Sequence, residues 1–275
     1  MEQTVHKTYL FVPGNRPDRF DKACAAGADA VILDLEDAVP ESDKPAARRA
    51  VESWLASCSQ DPGGIPLLLR INATDSKGYL EDLPLSALPG IAGIMLSKAE
   101  LPETVAEVRR AGAPLVIPLI ETARGFANAQ DIAAVPGVQR LAFGSIDFRK
   151  DLYISGKYEE LAYFRSHLVL VSRLAGILPP IDGVTLSISD AKLLREETRR
   201  ARRSGFGAKL CIHPAQVGVV NEEFLPSAEE VSWAQRVVAA AEAAHGRAVA
   251  VDGEMVDRPV VLAAREILRK ARKDA

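Results

Sequence analysis

Short apolar runs alternate with longer segments of mixed polarity along most of the chain. Eight such runs are rich in β-branched and aliphatic residues: 9–13, 30–35, 67–71, 93–97, 115–120, 141–144, 183–187 and 209–212. Several of them, such as Val31-Ile32-Leu33, are apolar at every position. A strand is apolar on both faces only when both faces are buried, as in parallel sheets covered by helices. The pattern therefore predicts eight strands of a parallel sheet.

The segments between these runs have the start and stop signals of helices. Proline stands near the start of three of them (Pro17, Pro45 and Pro102), and glycine ends three (Gly27, Gly112 and Gly176). Proline in a first helical turn loses no hydrogen bond, and glycine suits a left-handed C-cap. Eight strand–helix alternations without a glycine-rich dinucleotide motif predict an α/β fold of the TIM (β/α)8 barrel type rather than an open sheet.

Two further helical patterns, at 228–245 and 258–273, follow the eighth predicted strand. A barrel of this type needs about 250 residues and ends with its eighth strand and helix. We therefore predict a barrel at 1–224 and a C-terminal helical extension at 225–275.

Composition excludes several classes of protein. The 275 residues are 48% hydrophobic and 26% charged with a net charge of −3, which is ordinary for a globular protein and unlike a basic nucleic-acid-binding domain. No apolar run approaches the length of a membrane span, so no membrane contact is expected. Cys24, Cys58 and Cys211 are isolated in sequence, and we interpret them as reduced cysteines of a cytoplasmic protein.

Charged residues follow most of the predicted strands. In TIM barrels the catalytic residues lie at the carboxyl ends of the strands, and buried charges are costly unless they are paired or bound to a ligand. One interpretation is a structural network of ion pairs, which Asp34 or Asp37 could form with Arg70. The other interpretation is a ligand site at the mouth of the barrel.

A metal site is the ligand site that these residues favour. Glu121 and Asp147 follow adjacent predicted strands, with arginines opposite. Mg²⁺ takes one or two protein carboxylates together with water and substrate oxygens. The four histidines and three cysteines form no HxxxH, HExxH or CxxC pair, so Mg²⁺ or Mn²⁺ is favoured over zinc.

The predicted cation determines the chemistry. A metal bound to an α-keto or α-hydroxy acid polarises the oxygen on which enolate charge develops. Arg70 can stabilise the same enolate or hold a carboxylate with two hydrogen bonds. The residues therefore predict aldol or Claisen-type cleavage or formation of a carbon–carbon bond.

Five stretches of the chain carry a family resemblance: TYLFVPGNRPDRFDKA, GADAVILDLEDAVP, LLLRIN, PLIETARGFANA and GFGAKLCIHPAQV. Together they resemble the citrate lyase β-subunit-like branch of the HpcH/HpaI aldolase superfamily, which includes citryl-, malyl- and methylmalyl-CoA lyases. The resemblance runs over about 8–265. It implies a TIM barrel, Mg²⁺, a small acyl-CoA or acyl-carrier thioester as substrate, and assembly into trimers or hexamers.

The resemblance also implies roles for individual residues. Glu121 and Asp147 match the metal ligands, and Arg70 matches a catalytic arginine that contacts the substrate carboxylate. The expected substrate-binding residues are Arg16, Glu36, Asp37, Arg70 and Gly125. Gly125 is expected to permit tight packing at the start of a helix. It is included because the N–H groups of that helix can also meet a substrate carboxylate.

The segment at 254–260 resembles the lid of these enzymes, whose aspartate reaches the active site of a neighbouring subunit. Asp257 is therefore expected to be a catalytic acid–base residue, and the C-terminal extension is expected to act as the lid. An alternative, compatible duty is capping of the helix that begins at Arg258-Pro259. Ile146 departs from the branch, which commonly has an acidic residue there, so the substrate need not be citrate or malate.

The leading hypothesis is thus a Mg²⁺-dependent lyase that acts on a carboxylated β-hydroxyacyl-CoA. A malate synthase-like or thioesterase activity, a citryl-acyl-carrier-protein lyase subunit and a free pyruvate-type aldolase remain as alternatives. A subunit that only binds CoA or a carrier protein is a further possibility. The presence of Arg70, Glu121 and Asp147 argues against that non-enzymatic role.

Overall fold

The computed structural model describes residues 6–57, 64–244 and 249–273. By contacts the chain divides into two compact units, Met1–Asn221 and Glu222–Ala275. The expectations for Cys58 and for the end of the helix at residue 245 lie outside the described residues. Cys24 is half-buried and Cys211 is buried.

Eight parallel strands of the first unit close into a barrel in sequence order, with β1 paired to both β2 and β8. The strands are β1 (Thr8–Pro13), β2 (Ala30–Asp34), β3 (Leu67–Ile71), β4 (Ile91–Leu96), β5 (Val116–Ile120), β6 (Ala142–Phe143), β7 (Ile181–Asp182) and β8 (Ala208–Cys211). This arrangement confirms the predicted TIM barrel.

Helices follow the strands around the barrel. They are α1 (Phe20–Cys24), α2 (Lys44–Ser57), α3 (Gly78–Asp82), α4 (Pro102–Arg110), α5 (Ala123–Ala127), α6 (Ala129–Ala133), α7 (Ser145–Asp151), α8 (Ala162–Leu174), α9 (Ala191–Arg203) and α10 (Pro214–Phe224). Pro102 starts α4 at its first turn, as the sequence predicted. The boundary between the two compact units falls inside α10.

The strands are buried on both faces. Every residue of β2, β3 and β5 is buried, as predicted from the uninterrupted apolar runs. The barrel interior is filled by aliphatic and aromatic side chains that include Tyr9, Ile32, Leu68, Met95, Ile117 and Leu210. Burying each large side chain stabilises the fold by roughly 1.5–3 kcal/mol. This dry interior provides a rigid floor beneath the polar side chains at the strand ends.

The prediction for the seventh strand was wrong. β7 is Ile181–Asp182, and the predicted strand at 183–187 lies beyond its end. Asp182 is a buried carboxylate that pairs with Arg165 and Lys209. Because its partners are distant in sequence, the apolar pattern gives no sign that a charge belongs inside this strand.

The second unit contains two helices and a hairpin: α11 (Ala228–Ala243), β9 (Val249–Val251), β10 (Glu254–Val256) and α12 (Arg258–Lys273). Its core includes Ala234, Val237, Val256 and Ala264. A capping box of Ser227 and Glu230 starts α11. The two helices confirm the helical C-terminal region, whereas the antiparallel hairpin was not predicted.

Within the described residues, no helix is both long and apolar enough to traverse a lipid bilayer.

Candidate active site

An ion pair at the ends of β2 and β3 anchors the site. The strand register places Asp34 directly beside Arg70. Arg70 Nε donates to Asp34 Oδ1 at 2.6 Å, and Nη2 donates to Oδ2 at 2.5 Å. This bidentate geometry fixes the plane of the guanidinium group. The structure therefore contains the ion pair that the structural interpretation of the sequence anticipated.

Two more carboxylates surround the same guanidinium. Arg70 Nη1 lies 2.9 Å from Glu36 Oε2 and 3.3 Å from Asp37 Oδ2. Burial lowers the pKa of Arg70, but the carboxylates of Asp34, Glu36 and Asp37 raise it further, so the pKa ends above its ordinary value. Arg70 is therefore permanently charged and held in one orientation.

The loop that carries Glu36 is held from below by Lys44. Lys44 Nζ donates to the carbonyl oxygens of Leu35 and Glu36 at 2.9 and 3.2 Å, and to Asn72 Oδ1 at 2.5 Å. Burial raises the pKa of Glu36 to about 7 against the opposing charge of Arg70. Lys44 lies four residues after one of the stretches that carry the family resemblance, and its contacts show that it positions this acidic loop.

Glu121 follows β5 and is 3% exposed. The backbone N–H of Lys98 donates to Glu121 Oε1 at 2.8 Å. Burial raises the pKa of Glu121 to about 8; the Lys98 hydrogen bond and the Arg70 charge lower it, while the Glu36 and Asp147 carboxylates raise it. The hydrogen bond from Lys98 and the charge of Arg70 therefore do not offset the cost of burying the negative charge of Glu121.

Lys98 was not among the predicted site residues. It follows β4 with a φ of 44°, in the left-handed region that non-glycine residues rarely adopt. Burial lowers its pKa, but Glu36, Asp75, Glu121 and Asp147 together raise it above its ordinary value. Such strain persists where the surroundings require it. Here the conformation directs the backbone N–H of Lys98 onto Glu121.

Gly144 lets Glu121 approach the end of β6. A Cβ atom on residue 144 would lie 2.3 Å from Glu121 Oε2 and 2.6 Å from Glu121 Cβ. The next residue, Ser145, begins α7, and Asp147 stands in its first turn. The end of β6 therefore provides both the room for one acidic side chain and the backbone that carries the other.

A cavity of about 310 Å³ brings four of the predicted residues together. They are Asp37, Arg70, Glu121 and Asp147. The rest of its wall is largely apolar and includes Phe11, Leu119, Ile146, Val184 and Ile212. The arrangement combines fixed charges with a surface suited to a small organic ligand.

Three predicted substrate-binding residues, Arg16, Glu36 and Gly125, do not line this cavity. Glu36 instead pairs with Arg70. Arg16 Nε and Nη2 donate to the two carboxylate oxygens of Asp18, at 2.9 and 2.8 Å, on the protein surface. The N–H of Gly125 donates to Thr122 Oγ1 at 3.0 Å, and a Cβ on Gly125 would lie 2.4 Å from the carbonyl oxygen of Ala99. Gly125 therefore serves close packing at the start of α5.

Asp257 is exposed and directly precedes α12 in the second unit. Its Oδ1 accepts a hydrogen bond from the N–H of Val260 at 3.4 Å. This is the helix-capping contact that the sequence suggested as the alternative or additional duty of this aspartate.

The donor set suits a hard divalent cation with few protein ligands. Among the described residues, no group of three or more His, Cys, Asp or Glu side chains is arranged to hold a metal. Glu121 and Asp147 provide two carboxylates in one cavity. Burial is the main cause of the raised pKa of Glu121, and a cation would stabilise the ionised form that burial disfavours. Mg²⁺ commonly uses one or two carboxylates and completes its shell with water and substrate oxygens.

Comparison with known proteins supports the family resemblance that the sequence motifs indicated. Residues 7–214 match the HpcH/HpaI aldolase/citrate lyase family. The chain is 41% identical over 271 residues to a citrate lyase subunit beta-like protein of Mycobacterium tuberculosis, covering 96% of this chain and 94% of that protein. It is 34% identical over 270 residues to a (3S)-malyl-CoA thioesterase of Cereibacter sphaeroides, with coverage of 96% and 94%.

The similarity extends to three dimensions. The crystal structure of CitE from Mycobacterium tuberculosis in complex with magnesium, acetoacetate and coenzyme A superimposes with a TM-score of 0.87 at 38% sequence identity, over 98% of this chain and 99% of that one. A match of this extent covers the barrel and the C-terminal unit. The protein belongs to the HpcH/HpaI aldolase/citrate lyase family.

Proposed function

We propose that the protein is a Mg²⁺-dependent lyase that cleaves a carbon–carbon bond in a small, carboxylated β-hydroxyacyl-CoA. The observation that carries this proposal is the cavity in which the buried carboxylate of Glu121 lies with Asp147 and the fixed guanidinium of Arg70. Cleavage of such a substrate leaves an enolate, whose charge needs cationic groups on one side of the cavity.

In this proposal Glu121 and Asp147 hold the cation. When bound, Mg²⁺ supplies a Lewis acid for the oxygen on which negative charge develops. Arg70 binds the substrate carboxylate or the enolate oxygen, and Asp34, Glu36 and Asp37 hold its guanidinium in the orientation that this contact needs. The apolar wall formed by residues such as Phe11 and Leu119 limits the access of water.

The ligands of the Mycobacterium tuberculosis CitE structure support this assignment, because magnesium, acetoacetate and coenzyme A are a cation, a small oxoacid and an acyl carrier. A carrier-protein thioester, as expected for a citrate lyase subunit, would use the same cavity for its acyl group. CoA is the preferred carrier in our proposal because the chain is similar to a protein whose crystal structure contains coenzyme A.

Thioester hydrolysis is the second candidate function, and the similarity to a (3S)-malyl-CoA thioesterase supports it. In that case a group must activate water at the thioester, and Asp257 is the proposed acid–base residue on the strength of the resemblance. Release of free CoA with an intact hydroxyacid would identify hydrolysis, whereas release of an oxo product would identify the lyase.

The finer expectations from the sequence are part of the proposal. We expect a homotrimer or a hexamer, with the C-terminal unit serving as a lid. We expect a cytoplasmic protein, because its isolated cysteines form no pattern typical of a disulfide framework. Size-exclusion chromatography with light scattering measures the assembly directly.

A panel of hydroxyacyl-CoA thioesters tests the proposal. We expect cleavage with Mg²⁺ present, none after chelation, and a loss of at least about 100-fold in Glu121→Gln and Asp147→Asn, since metal-centred charge stabilisation contributes several kcal/mol. Glu196→Gln, an exposed substitution on α9, is the matched control and should retain full activity. Full turnover by both acidic-site variants, or turnover in excess chelator, would refute the assignment.

A further inference from the structure

A second cavity of about 290 Å³ lies beside the active-site cavity. The two share four lining residues, Ser145, Ile146, Gly183 and Val184. The remaining wall of the second cavity comes from the segment before α8, from α8 and α9, and from the chain that follows β7. Loops after the late strands of TIM barrels commonly form sites for phosphate groups.

Positive side chains predominate around this second cavity, which we call the basic cavity. Its cationic lining residues are Arg149, Lys157, Arg165, Arg200 and Lys209, and its acidic lining residues are Asp182 and Glu197. The lining therefore has an excess of three positive charges. The proposed catalytic role uses none of these residues.

Asp182 balances the two deepest cations. Lys209 Nζ lies 3.3 Å from Asp182 Oδ2 and also donates to the carbonyl oxygen of Gly183 at 2.7 Å. Arg165 Nη1 donates to the other oxygen, Asp182 Oδ1. This cluster explains why a lysine is tolerated inside the barrel, and it leaves the carboxylate of Asp182 fully engaged.

Glu197 is engaged by neutral donors rather than by a cation. The hydroxyl group of Tyr158 donates to Glu197 Oε1 at 3.1 Å, and that of Thr185 donates to Oε2 at 2.5 Å. The ring of Tyr158 in turn lies beneath Arg200, whose guanidinium carbon is 3.7 Å from the ring centroid. Stacking fixes the plane of that guanidinium without neutralising its charge.

Three arginines of the lining have hydrogen-bonding capacity left over. Arg149 Nε, Arg165 Nε and Arg200 Nη1 are buried and have no hydrogen-bond partner in the part of the chain that the structure describes. Buried charged donors are normally paired, since an unpaired one costs free energy. All three residues line the basic cavity, so a ligand in that cavity can supply the missing acceptor.

From these observations we propose that the basic cavity binds a small oxyanion, a carboxylate or phosphate group, next to the active site. Planar guanidinium groups match the oxygen geometry of both anions. The anion has two possible sources: a second acidic group of the substrate, entering past the shared wall, or a free small anion. This inference concerns binding alone and does not depend on the proposed lyase activity.

Calorimetric titration of the full chain with inorganic phosphate tests the proposal. The titration is done at constant ionic strength with chelator present and without thioester, so that neither the metal nor catalysis contributes. We expect one phosphate per chain, and an affinity at least about tenfold lower in Arg200→Gln, the loss expected when one charge-assisted hydrogen bond is removed. Arg203→Gln, on the same helix but exposed and outside the lining, should bind as the wild type does.

Lys157→Gln provides a second test variant, because Lys157 is exposed and its substitution leaves the packing of α9 intact. It should also weaken phosphate binding, while thermal unfolding of the variant remains unchanged. Failure of the wild type to bind phosphate at tens of millimolar, or equal affinities in the wild type and both lining variants, would overturn the proposal.

Steady-state kinetics then distinguish the two sources. If the substrate supplies the anion, phosphate competes with the thioester, and Arg200→Gln raises KM while kcat is unchanged. If a free anion binds, phosphate does not compete, and the KM of Arg200→Gln equals that of the wild type. Inactivity toward every thioester would refute the proposed function but leave the phosphate titration, and thus this inference, standing.

Discussion

The Glu121→Gln variant tests the electrostatics of the site through stability alone. Glutamine keeps the shape of the side chain, and its amide oxygen can still accept the hydrogen bond from the N–H of Lys98. What it removes is the buried negative charge. The pKa of Glu121 rises from 4.5 to about 8 in the folded protein, mainly because burial penalises the ionised form.

The direction of the pH dependence follows from this rise. Because the pKa is higher in the folded protein than in the unfolded chain, the folded state binds more protons between the two values, and stability falls as the pH rises. Each pKa unit corresponds to about 1.4 kcal/mol, so the ionised Glu121 destabilises the cation-free protein by about 5 kcal/mol above pH 8. Below pH 4.5 the cost vanishes, since both states are protonated.

Denaturant unfolding in excess chelator at pH 5 and pH 9 measures this effect. We expect Glu121→Gln to equal the wild type within about 1 kcal/mol at pH 5 and to exceed it by several kcal/mol at pH 9. Added Mg²⁺ should stabilise the wild type at pH 9 and leave the variant unaffected. The exposed Glu196→Gln substitution controls for the change in net charge.

Two results would refute the reasoning. The first is a wild type that is more stable than Glu121→Gln at pH 9 without a cation. The second is a stability difference between the two proteins that does not change with pH. Either would mean that the carboxylate of Glu121 is already compensated within the protein and has no need of a metal ion.

Three further predictions follow from the contacts at the strand ends. Gly144→Ala should destabilise the protein by about 1–3 kcal/mol, because the added Cβ displaces Glu121. The same displacement should abolish stabilisation by Mg²⁺. Denaturant unfolding with and without Mg²⁺ measures both effects. Asp34→Asn should cost about 3–5 kcal/mol of unfolding free energy because it leaves Arg70 buried without its main partner, whereas Asp37→Asn, at an exposed carboxylate, should cost under about 1 kcal/mol. If Mg²⁺ binds as proposed, its apparent affinity by calorimetry should increase from pH 6 to pH 9, since the cation competes with the proton on Glu121.

The fold was largely predictable from the sequence because a strand that is buried on both faces is mostly apolar. β2 and β3 are apolar except for Asp34 and Arg70 near their carboxyl ends, and their bounds differ from the predicted runs by at most one residue. The prediction of β7 was wrong because Asp182, its only polar residue, is stabilised by partners that are remote in sequence. The hairpin of the second unit could have been predicted from the dipeptide Asp252-Gly253, which is typical of tight turns between two strands. Both residues have the positive φ that such a turn requires.

Four of the eight predicted site residues line the active-site cavity, but the contacts and pKa values of these residues were not predictable from the sequence. The rule that barrel chemistry lies at strand ends was enough to select Arg70, Glu121 and Asp147, which line one cavity. The sequence could not show that Arg70 is held by three carboxylates, because that contact depends on strand register and loop shape. Nor could it show the raised pKa of Glu121, since the depth of burial sets that value.

The two neighbouring cavities have opposite charge, and this contrast constrains what can bind across them. Asp37, Glu121 and Asp147 outnumber Arg70 in the active-site cavity, whereas cations exceed carboxylates by three in the basic cavity. In a medium of low dielectric constant neither excess is stable alone. A cation on the acidic side and an oxyanion on the basic side would neutralise both. The apolar side chains of Ile146 and Val184, which line both cavities, would then contact the uncharged part of a ligand that spans them.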